Sequence, residues 1–94
     1  MADAIKVEIL HKPEEKYRVN QMVKVINQAA SAARIKIEVI RTHDFVAFSN
    51  FSFSPSKSPI VFINRTIEFM GSVPNMIVVK KKLIEVRDRA NWLI

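Results

Sequence analysis

The first part of the chain passes from strand-like to helix-like spacing of its apolar residues and then back again. The segment AIKVEIL alternates apolar and polar residues from Ala4 to Leu10, which predicts a strand with one better-buried face. From about Glu14 to Ala33, apolar residues recur three and four positions apart, as on the buried stripe of an amphipathic helix. The segment RIKIEVI alternates again from Arg34 to Ile40. A strand, a helix and a strand this close together indicate a βαβ unit with parallel strands.

A phenylalanine-rich segment in the middle of the chain fits two patterns. Phe45, Phe48 and Phe51 have the spacing of a short helix, whereas the letters FSFS alternate like a strand. The helix is favoured because Thr42 or Asp44 supplies an N-cap oxygen, and the prediction is a short helix from about Asp44 to Phe51. Because the segment is nearly uncharged, core or partner contact is favoured for these rings over the stacking of nucleic-acid bases.

The last part of the chain has the pattern of a hairpin followed by a helix. PIVFI, at 59–63, is apolar at every position, which is typical of a central strand between two layers. TIEFM lies behind Asn64 and Arg65 and predicts the hairpin partner of that strand. Gly71 supplies a break, and a final helix is expected to begin near Ser72 to Pro74. The predicted apolar stripe of this helix is Met76, Val79, Leu83, Val86, Ala90 and Leu93.

Composition narrows the classes of protein that this chain can belong to. Its 94 residues predict one α/β domain over residues 1–94. No apolar stretch is long enough for a membrane span and no leader pattern is present, so a soluble, cytoplasmic protein without a membrane partner is expected. The absence of cysteine excludes disulfides, thiolate metal sites and thiol nucleophiles, and a single glycine excludes Gly-rich phosphate loops. The net charge of +6 favours acidic partners.

Two residues near the hairpin carry a resemblance to a known family. In the element order β-α-β-α-β-β-α, Pro59 opens the third strand and Gly71 follows the fourth, which resembles the thioredoxin-like superfamily and most of all its small, glutaredoxin-sized branch. The resemblance implies a four-stranded mixed sheet in the order 2-1-3-4 with helices on both faces. The first and last helices would share one face, and the short helix would cover the other. It also implies that the Ser58–Pro59 peptide bond is cis.

The chain departs from that family in the loop after the first strand. Redox members carry Cys-x-x-Cys there, where a helix N-terminus stabilises the thiolate. Here the loop reads LHKPEEKY, and the cysteine positions fall near Glu14 and Tyr17, neither of which can exchange a disulfide. Oxidoreductase activity therefore does not carry over, and glutathione binding loses the thiol that would justify it. The prediction is a protein that is not an enzyme and needs no cofactor.

The leading hypothesis for function is a redox-inactive module that binds another protein or a second copy of itself through the former active-site surface. The backbone beside a cis-proline can pair with an extended peptide, and this ability survives the loss of the thiols. The predicted protein-binding residues are His11, Pro13, Glu14, Tyr17, His43, Ser58 and Pro59.

The two histidines suggest a sharper hypothesis. His11 ends the first strand and His43 follows the second, so a parallel pair brings both near the carboxyl ends of the strands, where sites gather in α/β proteins. With Glu14, Glu15 and Asp44 nearby, a metal site or an acid–base pair is conceivable. No ligand spacing is recognised, however, so a surface or capping role is favoured and no metal is predicted.

The alternative hypothesis is nucleic-acid binding through cations of the last helix. The residues concerned are Lys80, Lys81, Lys82, Arg87 and Arg89. A solvated helix face is favoured over this, because Lys81 and Glu85 are helical neighbours. The apolar tail formed by Trp92, Leu93 and Ile94 either packs on the domain or lies in a dimer contact, and the sequence leaves both open.

Overall fold

The computed structural model of the protein describes residues 4–92, and the side chains of residues 4–89. Its strands are β1 (Ile5–Leu10), β2 (Ile37–Thr42), β3 (Ile60–Ile63) and β4 (Thr66–Met70). Its α-helices are α1 (Lys16–Ala33) and α2 (Met76–Trp92), and single 3-10 turns lie at Pro13–Glu15, Val46–Phe48 and Pro55–Lys57. Within residues 4–92, neither helix is long and apolar enough to cross a membrane.

The sheet has the predicted order, β2-β1-β3-β4. β1 and β2 are parallel, with Ile5 opposite Ile37, whereas β3 is antiparallel to both β1 and β4. The prediction of an α/β fold with a four-stranded mixed sheet is therefore confirmed. The hairpin turn lies at the predicted pair, since Asn64 and Arg65 both have positive φ, at 49° and 68°, as a type I′ turn requires.

Alternate residues of the central strands point to two different cores. On one face, side chains of β1 and β3 pack with both α-helices, and the fully buried members of this cluster include Val7, Ile9, Val19, Met22, Val61, Val79 and Leu83. On the other face, Leu10, Phe48, Ile60 and Phe62 form a second cluster with partly buried phenylalanines around it. Both faces of the central strands are thus covered, which explains why PIVFI is apolar throughout.

The second face is covered by short 3-10 turns, so the short helix predicted from about Asp44 to Phe51 forms only as a single 3-10 turn at Val46–Phe48. The backbone hydrogen bonds there join residues three positions apart, as in a 3-10 turn. The Phe48 N–H donates to the Phe45 carbonyl, and the Phe51 N–H donates to the Phe48 carbonyl. The rings of Phe48 and Phe51 each lie 4.8 Å from the Phe62 ring. Three-residue turns align side chains at i and i+3, which lets these rings meet one strand residue.

Two elements begin later than the sequence predicts. Arg34 adopts a left-handed conformation with φ of 56° at the end of α1, so β2 begins only at Ile37. In the final helix the Asn75 Oδ1 accepts a hydrogen bond of 2.8 Å from the Ile77 N–H, which makes Asn75 the cap and excludes 72–74 from α2. Pro74 contributes to this late start, because a residue before proline is biased away from helical conformation.

The predicted stripe of α2 is confirmed in part. Val79, Leu83 and Val86 are buried, but Met76, the first residue of α2, is 40% exposed. The side chains of Ala90, Trp92, Leu93 and Ile94, and with them the predicted packing of the apolar tail, lie outside the described part of the chain.

Candidate functional site

The parallel pairing of β1 and β2 brings the two histidines together at the carboxyl ends of these strands. The His11 N–H continues the ladder by donating to the Thr42 carbonyl at 3.0 Å. The two imidazole rings are 4.4 Å apart and meet edge to face at 71°. The prediction that both histidines approach this edge of the sheet is confirmed. Of the favoured surface or capping role, the surface part fails for His11, which is only 4% exposed and lies against the His43 ring, whereas His43 is exposed.

Backbone carbonyls fix the orientation of both rings. The His43 Nδ1 lies 2.7 Å from the His11 carbonyl oxygen, and the His11 Nδ1 lies 2.9 Å from the Lys12 carbonyl oxygen. A carbonyl oxygen only accepts hydrogen bonds, so each Nδ1 carries a hydrogen. The other ring nitrogen, Nε2, has no hydrogen-bond partner among residues 4–92 in either histidine. It is therefore the nitrogen that remains for a ligand.

A cleft of about 300 Å³ opens at this edge, and we call it the histidine cleft. It is lined by His11, Pro13, Lys16, Arg41 and His43, none of which is acidic. Arg41 is held from α1, because its guanidinium donates to the Asn20 side-chain oxygen. Lys16 is the first residue of α1 and is exposed. The cleft therefore combines two fixed imidazoles with two cationic side chains.

Glu15 connects the turn before α1 to the segment that leads into β3, and we call these connected residues, Lys12, Glu15 and Ser58, the floor of the cleft. Its Oε1 accepts hydrogen bonds of 2.8 Å from the Lys12 N–H and from the Ser58 hydroxyl. The first bond closes the turn that begins α1, and the second ties that turn to the start of β3. One oxygen of the carboxylate is thus bonded within the protein, and Glu15 is not among the residues that line the cleft.

Gly71 and Pro59 are joined by a backbone hydrogen bond, and neither of them lines the histidine cleft. The Ser58–Pro59 bond is cis, which confirms that prediction. The Gly71 N–H donates to the Pro59 carbonyl at 2.8 Å, and the Gly71 carbonyl accepts from the Arg18 guanidinium at 2.9 Å. Gly71 has φ of 84°, a left-handed conformation that glycine adopts without the strain that a side chain would cause. These bonds lock α1, β3 and the end of β4 to one another.

The predicted protein-binding residues fall into three groups. His11, Pro13 and His43 line the histidine cleft. Glu14 and Tyr17 are exposed, and each follows a cleft residue in the sequence; Tyr17 is 75% exposed. Ser58 and Pro59 are buried, and the Ser58 N–H already donates to the Pro55 carbonyl. Of these residues, Pro13, Glu14, Tyr17 and His43 are accessible, whereas His11, Ser58 and Pro59 are buried.

Sequence reasoning missed Lys16 and Arg41 as members of the site. Both come from segments where a single cation looks like ordinary surface charge, one on a helix and one on an edge strand. The available signal was the parallel register, since Arg41 stands opposite Ile9, just before His11. Within residues 4–92, no group of three or more histidine, cysteine or acidic side chains is arranged to hold a metal ion.

The cations of the last helix form what we call the basic helix face, comprising Lys80, Lys81, Lys82, Arg87 and Arg89. Acids neutralise much of it. Lys82 lies 3.4 Å from Glu68 and 3.6 Å from Glu85, and Arg89 lies 3.5 Å from the other oxygen of Glu85. Arg87 lies 3.2 Å from Asp88. Only Lys80 and Lys81 are without an acidic partner in the described part of the chain.

An ion pair between the buried Glu8 and the half-exposed Arg65, on the second sheet face, was also missed. Glu8 alternates with apolar residues in β1 and looks solvent-facing, yet it is only 7% exposed. The Arg65 Nη1 donates to both of its carboxylate oxygens, at 3.0 and 3.1 Å. The same guanidinium lies 5.1 Å from the Phe48 ring centre and 5.2 Å from that of Phe51. The pair therefore belongs to the aromatic core.

No family model, no curated protein and no solved structure matches this chain. The site must therefore be interpreted from its own geometry.

Proposed function

We propose that this protein is a redox-inactive, thioredoxin-like binding module that recognises another protein, or a second copy of itself, through the histidine cleft and the adjoining Glu14 and Tyr17. The observation that carries the proposal is the exposure of Tyr17, which presents 75% of its surface to solvent in the first turn of α1. Tyrosine is enriched at the energetic centres of protein interfaces, because it combines a large apolar ring with one polar group.

The surroundings of Tyr17 support this role because they are held firmly. Before Tyr17 in the sequence, Glu15 accepts a hydrogen bond from Ser58. After it, Arg18 donates a hydrogen bond to the Gly71 carbonyl. A side chain on a fixed backbone loses less conformational entropy when a partner covers it. The backbone of the first turn of α1 is thus already ordered before a partner binds.

The mode of binding that the site supports relies on side chains. Pairing of an extended peptide with the backbone at Ser58 would need a free N–H, and this N–H donates to Pro55. Ser58 is also only 4% exposed. A partner is therefore expected to contact Tyr17 and the cleft residues and to leave the Ser58 backbone untouched.

A selection from random displayed peptides tests the proposal. Peptides enriched on the protein should lose most of their affinity for Tyr17→Ala and keep it for Val46→Ala. Val46 is the matched control, because it is 82% exposed on the segment that covers the other sheet face. Sedimentation of the same variants tests the second-copy version, in which Tyr17→Ala alone would weaken a concentration-dependent dimer. Equal binding by all three proteins, or equal loss in both variants, contradicts the proposal.

Nucleic-acid binding by the basic helix face remains a prediction, and the geometry favours it less. Three of its five cations lie beside acids of the same protein, so a phosphate would have to displace those carboxylates. Binding through phosphates depends on unpaired Lys and Arg.

A further inference from the structure

We infer that the histidine cleft binds an oxyanion, a carboxylate or phosphoryl group carried by the peptide chain that the proposed function places on this surface. The inference rests on the proposed function for its partner, but its chemistry comes from the cleft alone. The cleft is lined by two histidines, a lysine, an arginine and a proline. Every titratable side chain in this set is neutral or positive.

The charge of the lining selects between ligands of opposite sign. Two imidazoles oriented through Nδ1 by backbone carbonyls are also what a metal site would use. Lys16 and Arg41 line the same cleft, however, and their positive charges repel a metal cation. The same charges attract an anion. Glu15, the acid nearest in sequence to Lys16, directs its Oε1 to Lys12 and Ser58.

The donors are suited to oxygen atoms. Arg41 and Lys16 donate hydrogen bonds only, and an arginine paired with a carboxylate or phosphate forms a charge-assisted bond. Each histidine has its Nδ1 hydrogen committed to a carbonyl, so Nε2 is an acceptor in the neutral ring and donates to an anion only when the ring is protonated. Lys16 and Arg41 are therefore the donors on which the site depends. The bond between Arg41 and Asn20 holds the guanidinium before any ligand arrives. Such preorganisation reduces the entropy lost on binding.

The size of the cleft limits what it can hold. About 300 Å³ is at the lower end of the range for ligand pockets, which suits one charged group with its neighbouring atoms. Tyr17 follows Lys16 in the first turn of α1 and is 75% exposed, so the proposed partner chain would extend from the cleft around this turn to reach the tyrosine ring. This defines the partner as a peptide segment with an acidic or phosphorylated residue.

The first experiment uses the protein alone with inorganic phosphate and, separately, acetate. NMR signals of the two imidazole rings should shift saturably on addition of either anion. Lys16→Ala and Arg41→Ala should each weaken phosphate binding about tenfold, the effect of one charged hydrogen bond. Lys81→Ala is the control, since Lys81 is an exposed lysine of α2 outside the cleft. Lys16 is itself exposed, so its variant should fold normally, which the amide spectrum verifies.

Two results would overturn the inference. One is the absence of saturable imidazole shifts with both anions in the folded protein. The other is an equal loss of affinity in Lys16→Ala and Lys81→Ala, which would show that the anion responds to net charge and has no defined site.

The second experiment compares peptides from the selection described above, in which one Glu is replaced by Gln, or one Ser by phosphoserine. A carboxylate ligand is indicated if the Gln peptide binds at least about tenfold more weakly, and a phosphoryl ligand if phosphoserine tightens binding by a similar factor. If phosphate binds but no peptide depends on Tyr17, the proposed function fails and the anion site stands. If peptides depend on Tyr17 but neither charge change matters and neither anion binds, the anion site fails alone.

Discussion

The histidine cleft and the basic helix face both concentrate positive side chains, but acids accompany only one of them. On α2, Glu85 serves two cations and Glu68 reaches Lys82 from β4. In the cleft, Lys16 and Arg41 come from a helix and a strand, and no acid joins them among the lining residues. Cations without acidic neighbours are available to a ligand, whereas cations within ion pairs must first be released.

The difference arises from how the two regions are assembled. Along a helix, acids and bases three or four positions apart become neighbours, so a mixed sequence neutralises itself. At the ends of parallel strands, residues meet that are far apart in sequence, such as His11 and His43. Alternation of acids and bases along the chain therefore does not place an acid beside each cation there. The net charge of +6 is therefore a poor guide to where an anion binds.

The largest expected effect concerns the floor of the cleft. Glu15→Ala removes two hydrogen bonds to one carboxylate oxygen, from Lys12 and Ser58. Bonds to charged groups contribute about 1.5–3 kcal/mol each. Because these two bonds share one oxygen of a partly exposed side chain, their sum is discounted, and the free energy of unfolding should fall by about 2–4 kcal/mol. Chemical denaturation measures this. Glu14→Ala, an exposed neighbour, is the control, and an equal loss in both variants would contradict the role of Glu15.

Charge reversal in the two regions should separate them by a smaller margin. Lys16→Glu places a carboxylate in the cleft, so phosphate affinity should fall by more than the roughly tenfold of Lys16→Ala. Lys81→Glu changes net charge equally and should leave phosphate affinity within about twofold, because it lies outside the cleft and its charge is screened. Titration calorimetry of the two variants side by side would compare them directly, and matching losses would erase the distinction between the regions.

The salt dependence of nucleic-acid binding probes the basic helix face from the other side. If only the unpaired Lys80 and Lys81 contact phosphates, the logarithm of the affinity for duplex DNA should fall with the logarithm of salt at a slope of about −2. Release of all five cations would steepen this slope to about −4.5. Fluorescence anisotropy over a salt series measures it, and the steeper value would show that the ion pairs of α2 open for nucleic acid.

The smallest effect is expected at the ion pairs themselves. Glu85→Ala removes the shared partner of Lys82 and Arg89, but its side chain is 50% exposed. Exposed pairs contribute up to about 1 kcal/mol, so the loss of stability should stay below that value and shrink further in high salt. Denaturation at two salt concentrations tests this. A loss as large as that of Glu15→Ala would mean that the helix face is as tightly organised as the cleft floor.

Patterns confined to short segments predicted the sheet well, because alternation and connection length are local properties. The strand TIEFM and the turn at Asn64 and Arg65 were confirmed for this reason. The segment after Asp44 was mispredicted, because its conformation depends on Phe62, a residue of a different strand. The spacing of residues within the segment cannot predict a contact with the Phe62 ring.

The candidate site was predictable in outline and less so in detail. The meeting of His11 and His43 follows from parallel strands, which the sequence indicated. The burial of His11 and the recruitment of Arg41 depend on side chains packing across the site, through the His43 ring and Asn20. Pro59 and Gly71 were recognised by resemblance, yet the bonds that occupy Ser58 became visible only in three dimensions.

The turn between β3 and β4 has a consequence for anyone redesigning this protein. Asn-Gly is the preferred pair for a type I′ turn, so a backbone-based optimisation would replace Arg65, whose φ is 68°, with glycine. That change relieves a left-handed strain of roughly 1–2 kcal/mol. It also removes the only cation bonded to the Glu8 carboxylate among the described residues. Glu8 is buried but Arg65 is 52% exposed, so this loss costs about 1.5–3 kcal/mol, the range for a hydrogen bond to a charged group. At position 65 the gain in local propensity is thus offset by a lost contact, so sequence libraries for this protein should keep Glu8 and Arg65 as a coupled pair.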